Sequence, residues 1–206
     1  MSEGVIYSSA VNAVSVLDNT GAGPPSWLTV SGVSGDAGGV TATGQFGFSI
    51  TSYLGAVINA SKLTNLYQRY QIEKLEVEMD LIVGESYNGV ASALPTLYSV
   101  VDYGDAVAPT SLADVSNFQN IVEHPVVLNK PFKRTFYPKA AASYFISGVA
   151  TGYGTMPKDT WFDNASANIP HYGPKFWIRN FNVSGLNTGM GIRVRPTLFL
   201  KMKDSY

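Results

Sequence analysis

Two groups of basic residues are the first candidates for chemistry in this 206-residue chain. One is Lys130, Lys133 and Arg134; the other is Arg193, Arg195, Lys201 and Lys203. Clustered cations neutralise phosphates, and Phe132, Tyr137 and Phe199 nearby offer faces on which bases stack. The competing reading is a solvated strand face whose lysines and arginines pair with acids on a neighbouring strand. Asp102 and Asp105 flank Tyr103 and Gly104. Two carboxylates there fit a calcium ion, or an Asx-type turn in which they accept from backbone N–H groups, and the turn is preferred. His124 and His171 each adjoin a proline, and a structural or interface role suits them, with titration near pH 6 to 7 if they are interfacial.

Catalytic and cofactor chemistry finds little support. There is no cysteine, which removes disulfides, thiolate metal sites and cysteine nucleophiles, and two histidines cannot make a three-histidine metal centre. Gly32-Val33-Ser34-Gly35 runs into Asp36, so it is no nucleophile elbow. The glycine-rich stretches 21–23, 32–39 and 148–154 have no lysine at phosphate-loop spacing and read as loops. No enzyme activity, cofactor or metal is expected. Asn59, Asn164 and Asn182 begin Asn-x-Ser sequons, yet Met1 to Ala10 lacks the basic start and apolar stretch of a secretory signal, so they are expected unmodified.

Charge is sparse and uneven. Charged residues make up 14% of the chain, against about 25% in an average soluble protein, so much of the surface is neutral or covered. Residues 1–61 contain no lysine or arginine against Glu3, Asp18 and Asp36; the remainder holds all 14 basic groups against 12 acids. Neither end carries a basic tail, and no apolar run reaches the roughly 18 residues of a membrane helix.

These side chains need strands to hold them. Leu75, Val77, Met79, Leu81 and Val83 alternate with Lys74, Glu76, Glu78 and Asp80, a strand with one apolar and one charged face. Val194, Pro196, Leu198, Leu200 and Met202 alternate with Arg193, Arg195, Thr197, Phe199, Lys201 and Lys203 in the same way. Pro196 lacks an N–H and should mark a bulge or a locally unpaired position. Further strands are predicted over residues 40–51, 97–103, 121–128, 132–137, 144–150 and 176–183. Short helices are predicted over 59–70 and 111–118, in connections between strands. Residues 1–39 read as a Gly/Ser-rich arm or a string of edge pieces, and 40–206 as one all-β sandwich or barrel domain. The aromatic tract 148–172, with Tyr153, Met156, Trp161, Phe162 and Tyr172, is long and apolar for a loop and reads as subunit contact, joined by Trp177.

Four segments together resemble the capsid proteins of circovirus-like single-stranded DNA viruses: Tyr67 to Met79, Leu97 to Asp105, Lys130 to Lys139 and Phe176 to Lys203. The resemblance covers about residues 45–203 and lies in their order and spacing. It implies a single eight-stranded jelly roll with two short helices in its connections. It also implies copies that self-assemble into an icosahedral shell, sixty if the family pattern holds, around a small single-stranded DNA genome. Localisation is then the virion, partners are identical subunits and DNA on the inner face, and a host receptor is undefined. The family usually opens with an Arg-rich arm that enters the nucleus and holds the genome; this sequence shows none, so nuclear targeting and packaging by that route are in doubt. The alternative is a soluble β-sandwich module binding carbohydrate through loop aromatics, as an adhesin does.

Overall fold

Alternation of apolar and charged residues builds two long strands, and the other strands assemble around that pair. The structure, a computed structural model, describes residues 6–11, 15–17, 25–31, 43–83, 95–127, 130–146, 149–157, 159–182 and 190–205. In chain order the strands are β1 (Ile6–Val11), β2 (Ser15–Leu17), β3 (Leu28–Ser31), β4 (Thr43–Ile50), β5 (Tyr67–Val83), β6 (Thr96–Val101), β7 (Val122–Pro125), β8 (Phe132–Phe136), β9 (Lys139–Ile146), β10 (Val149–Thr155), β11 (Phe162–Asp163), β12 (His171–Tyr172), β13 (Pro174–Asn182) and β14 (Met190–Ser205). Helix α1 (Ala60–Leu66) lies between β4 and β5, and α2 (Leu112–Ser116) between β6 and β7.

Eight of these strands define the architecture. β1, β14, β5 and β8 are successive neighbours in one sheet, and β4, β13, β6 and β7 in the other. Counted as eight along the chain, the sheets read 1-8-3-6 and 2-7-4-5, the winding of a jelly roll. β2 follows β1 along β14, β11 pairs the start of β5, and β3 lies outside β4. The pieces before residue 40 are thus sheet edges, and Trp27 and Leu28 are core residues. The connection between β8 and β13 folds its own three-stranded sheet, β10-β9-β12.

Register decides which side chains meet. β14 keeps one phase from Ile192 through Val194, Leu198, Leu200 and Met202, all buried. In β5 the buried residues change phase, from Tyr70 and Ile72 to Leu75, Val77 and Met79. Pairing accommodates this by a bulge: Phe199 opposes Lys74 while Leu200 opposes Ile72, so Glu73 is the extra residue. Without it one half of β5 would turn its apolar residues to solvent. Pro196 pairs with Val77 in regular register, so no bulge marks it; on the opposite edge of β14, however, β2 ends at Val194 and β1 begins at Thr197. Pro196 therefore falls between the two described ladders and belongs to neither.

Phe176 of β13 is the hub between the sheets. Its ring stacks on Phe48 at 4.7 Å and meets Phe136 and Phe132 of the facing sheet edge-on at 5.5 and 6.4 Å. Behind it, on the other face of the same sheet, Trp177 and Val100 are buried under α2 by Val115, with Leu112, Phe118 and Ile121 around them. Ser111 caps α2 reciprocally with Asp114, at 3.3 and 2.9 Å.

Three expectations are corrected. The helix over 59–70 stops at Leu66, because Tyr67 and Tyr70 enter the β14 ladder opposite Ser205 and Met202. The strand over 144–150 is two strands, β9 and β10, paired to each other. The strand over 97–103 ends at Val101, where Asp102 begins a turn.

Phe176→Ala should lower stability by about 3–5 kcal/mol, since the ring touches both sheets and the gap cannot close from one side. Urea unfolding measures this; a loss within experimental error would show that the aromatic hub does not hold the sandwich.

Candidate functional site

The outer face of the β14, β5 and β8 sheet carries most of the basic residues singled out above, and acids on β5 answer them. Glu78 accepts from Lys133 on one side and Arg195 on the other, both at 2.5 Å. The Lys133 hydrogen bond is the main reason its carboxyl sits below the usual carboxylate range. Arg195 also binds Asp80, and Lys201 reaches Glu73 at 3.1 Å. Lys74 bonds Glu76 at 2.6 Å and lies 4.0 Å over the Phe199 ring. Lys203 lies 4.4 Å over Trp161, so both aromatic faces are already covered by cations. A shallow cavity of about 420 Å³ crosses the three strands here, lined by Glu76, Glu78, Lys133, Thr135, Arg195 and Thr197 among others. Lys130, Arg193 and Lys203 carry no ion pair among the described residues.

Arg134 does not belong to this face. It opposes Val77, on the inner side of β8, and its guanidinium donates to the Ser99 carbonyl and hydroxyl at 2.6 Å each and to the Asn120 carbonyl at 3.0 Å. It ties the two sheets together, and burial lowers its pKa. The expected phosphate contact is corrected accordingly: the guanidinium is engaged by two backbone carbonyls and the Ser99 hydroxyl between the sheets.

At the Asp102 turn the chain supplies its own cation. Lys175 Nζ lies 2.6 Å from both Asp102 and Asp105, and the lysine is buried. Burial opposes the ammonium, but the two carboxylate hydrogen bonds outweigh it and raise its pKa. Burial likewise pushes Asp105 up, while Lys175 and the Val107 N–H bring it below its ordinary value. Asp102 accepts from the Gly104 N–H at 2.8 Å, the expected Asx geometry. Lys175 was not among the predicted site residues. Its signal in sequence was a single charge in the run Pro174-Lys175-Phe176-Trp177-Ile178, since a lysine buried in a sheet needs a partner.

The aromatic tract divides. Trp177 is 1% exposed and Phe162 9%, with Phe162 5.7 Å from Tyr70 and 5.1 Å from His171. Both are interior residues of the subunit and leave the set of contact residues. Met156, Trp161 and Tyr172 are half-buried. Tyr153 opposes Ser143 in β10, and its side chain lies outside the described residues. His171 is 3% exposed; burial drives its pKa down to about 4, against hydrogen bonds that the ring makes to the backbone at Ile169, whose carbonyl accepts, and at Ser52. It is therefore not an interface histidine titrating near neutrality. His124 packs 5.3 Å from Phe132. Asn164 is buried and donates to the Tyr67 carbonyl, which removes that sequon from the surface; the side chain of Asn182 lies outside the described residues. The glycine stretches 21–23 and 32–39 lie outside them too.

Sequence reasoning missed the large aliphatic residues that remain in solvent, Val107 at 63%, Ile58 and Leu66 at 57%, and Val122; Tyr137, expected as a stacking surface, is exposed as well. Their neighbours in sequence are of both kinds, Ala106 and Ala108 beside Val107 and Val57 beside Ile58, so no periodicity betrays them.

The family model for circovirus capsid proteins matches residues 26–205. No curated protein matches the sequence. Among solved structures the chain is similar to the BFDV capsid protein in its 60-mer, with 15% identity and a TM-score of 0.61 over 99% of this chain and 96% of that one. It is also similar to the decameric BFDV capsid protein, with 16% identity and a TM-score of 0.54 over 98% and 100% of the two chains.

Lys175→Met should cost about 1–3 kcal/mol, a range reduced for the exposure of Asp105, by leaving two carboxylates facing each other. Melting of the wild type should not respond to chelator or to added calcium; a rise with calcium would restore the metal reading. Because His171 binds its proton more weakly folded than unfolded, stability is full above pH 6.5 and falls by about 3 kcal/mol as the pH approaches 4. His171→Gln should flatten that slope, and an unchanged slope would place its origin elsewhere.

Proposed function

The chain belongs to the circovirus capsid protein family, and on that premise we propose that copies of it close into an icosahedral shell, sixty to a particle, around a single-stranded DNA genome. The match across residues 26–205 carries this reading. Two physical features support it. The jelly roll leaves sheet edges and exposed aliphatic residues that an isolated copy keeps in water, and identical neighbours would cover them. Low charge suits a wall whose surface is largely covered by copies of itself.

The role is structural. Association draws on burial of apolar side chains summed over many weak contacts, with no bond made or broken. Met156, Trp161 and Tyr172 join these contacts from the connection between β8 and β13, as does Tyr153. Direct genome contact falls to Lys130, Arg193 and Lys203, which of the two predicted clusters, Arg134 aside, have no acid partner among the described residues; Lys133, Arg195 and Lys201 take part only where a phosphate displaces a carboxylate.

Negative-stain microscopy and size-exclusion chromatography of the purified chain should give uniform particles far larger than 22.1 kDa. A lone subunit at high concentration would return the soluble binding module to first place. Binding of single-stranded DNA should weaken with salt with a slope of about −2, appropriate to three phosphates. Salt-independent binding, or none, would remove the genome contact from these residues.

A further inference from the structure

The exposed aliphatic residues are not scattered. Successive strands of the sandwich run antiparallel, so the connections after β4, β6 and β8 lie together at one end. Contacts among them bear this out. Ser52 and His171 exchange backbone hydrogen bonds at 2.9 and 2.8 Å, and the Gly55 N–H donates to the Ala167 carbonyl at 2.9 Å. The Asp102 N–H reaches the Gly173 carbonyl at 2.7 Å, and Lys139 lies 4.7 Å over Tyr103. Ile58 and Leu66 belong to the first connection, Val107 to the second, Val122 to the strand that leaves the second, and Tyr137 to the start of the third. Among the described residues, all five exposed large hydrophobic side chains stand at this one end.

Charge separates the two flanks of that end. Residues 51–66 hold Lys62 and no acid, whereas residues 102–121 hold Asp102, Asp105 and Asp114 and no base, with Glu123 just beyond. Lys62 and Glu123 are exposed. Asp102 and Asp105 share the single charge of Lys175, so one negative charge remains there beside those of Asp114 and Glu123. One flank is therefore apolar and basic, the other apolar and acidic.

We propose that these flanks are two halves of one contact: Ile58, Leu66 and Lys62 of one copy pack against Val107, Val122 and Glu123 of the next. The halves are different surfaces, so the contact is head-to-tail and repeats around a ring. Opposite charge steers the approach and disfavours two basic or two acidic flanks meeting. The occupant is a second copy of this chain, because the chain itself carries both complements. This inference rests on the shell reading and names which surfaces that shell joins.

Ile58→Asp and Val107→Asp each remove one half. Each variant should keep the wild-type circular dichroism spectrum and lower the particle yield by about tenfold or more, the effect of losing a modest contact energy at every repeat. Mixed in equal amounts, the two should form one-to-one mixed dimers in native mass spectrometry, since each supplies the half the other lacks. Lys62→Glu and Glu123→Lys test the charges at residues with no buried packing: each alone should lower the yield, and the two in one chain should restore it. Normal particles from either aspartate variant, dimers only of like with like, or no restoration by the double reversal would each overturn the contact. Wild-type particles alongside normal variants would reject the contact and keep the shell. Mixed dimers with a wild type that never closes particles would reject the shell and keep the contact.

Discussion

The long antiparallel pair of β5 and β14 is the constraint on which everything else in the subunit depends. It runs from Met190 opposite Val83 to Ser205 opposite Tyr67, and it fixes what faces inward. The inner side supplies half of the sandwich core. The outer side sets a row of acids beside a row of bases, and Glu78 between Lys133 and Arg195 is its centre. The same pair reaches past the sandwich far enough for β11 to dock on Tyr70, which brings the aromatic connection onto the subunit. One phase error in either strand would exchange core for surface, and Glu73 absorbs the only change of phase along β5.

Much of this was legible in the sequence because alternation is a local signal. The charged face of β5 and the basic face of β14 could be read directly, whereas the cap at Ser111 emerged only in the structure. What could not be read was which strands are neighbours. The basic cluster at Lys130, Lys133 and Arg134 looked like one patch, yet alternation sends Lys133 outward and Arg134 inward, and only the proximity of β6 shows what Arg134 holds. Trp177 illustrates the same limit. It lies on the outer face of its sheet, where a surface role was reasonable, but the connection between β6 and β7 folds over it. The helix ending at Leu66 and not at Tyr70 shows tertiary pairing overruling a helical spacing that a short segment supports equally well.

The subunit has a chemical polarity that follows from its winding. Most of the charges on its outer face are paired within the subunit. One end gathers three connections, a buried histidine, a lysine clamped by two aspartates and the exposed aliphatic side chains. Rigid anchoring of those connections matters for a wall component, since loops that must order on contact would weaken each junction by the entropy they lose. Fixing Asp102, Asn120, Ser52 and Gly55 in advance removes that loss.

Lys175 has a consequence for any assembly of identical parts. A turn balanced by a captured ion is filled in some copies and vacant in others whenever the ion is scarce, and the copies then differ. A turn balanced by a side chain of the same polypeptide is filled in every copy from the moment it folds. Uniformity among the repeats is thus written into the gene and does not depend on the supply of an ion.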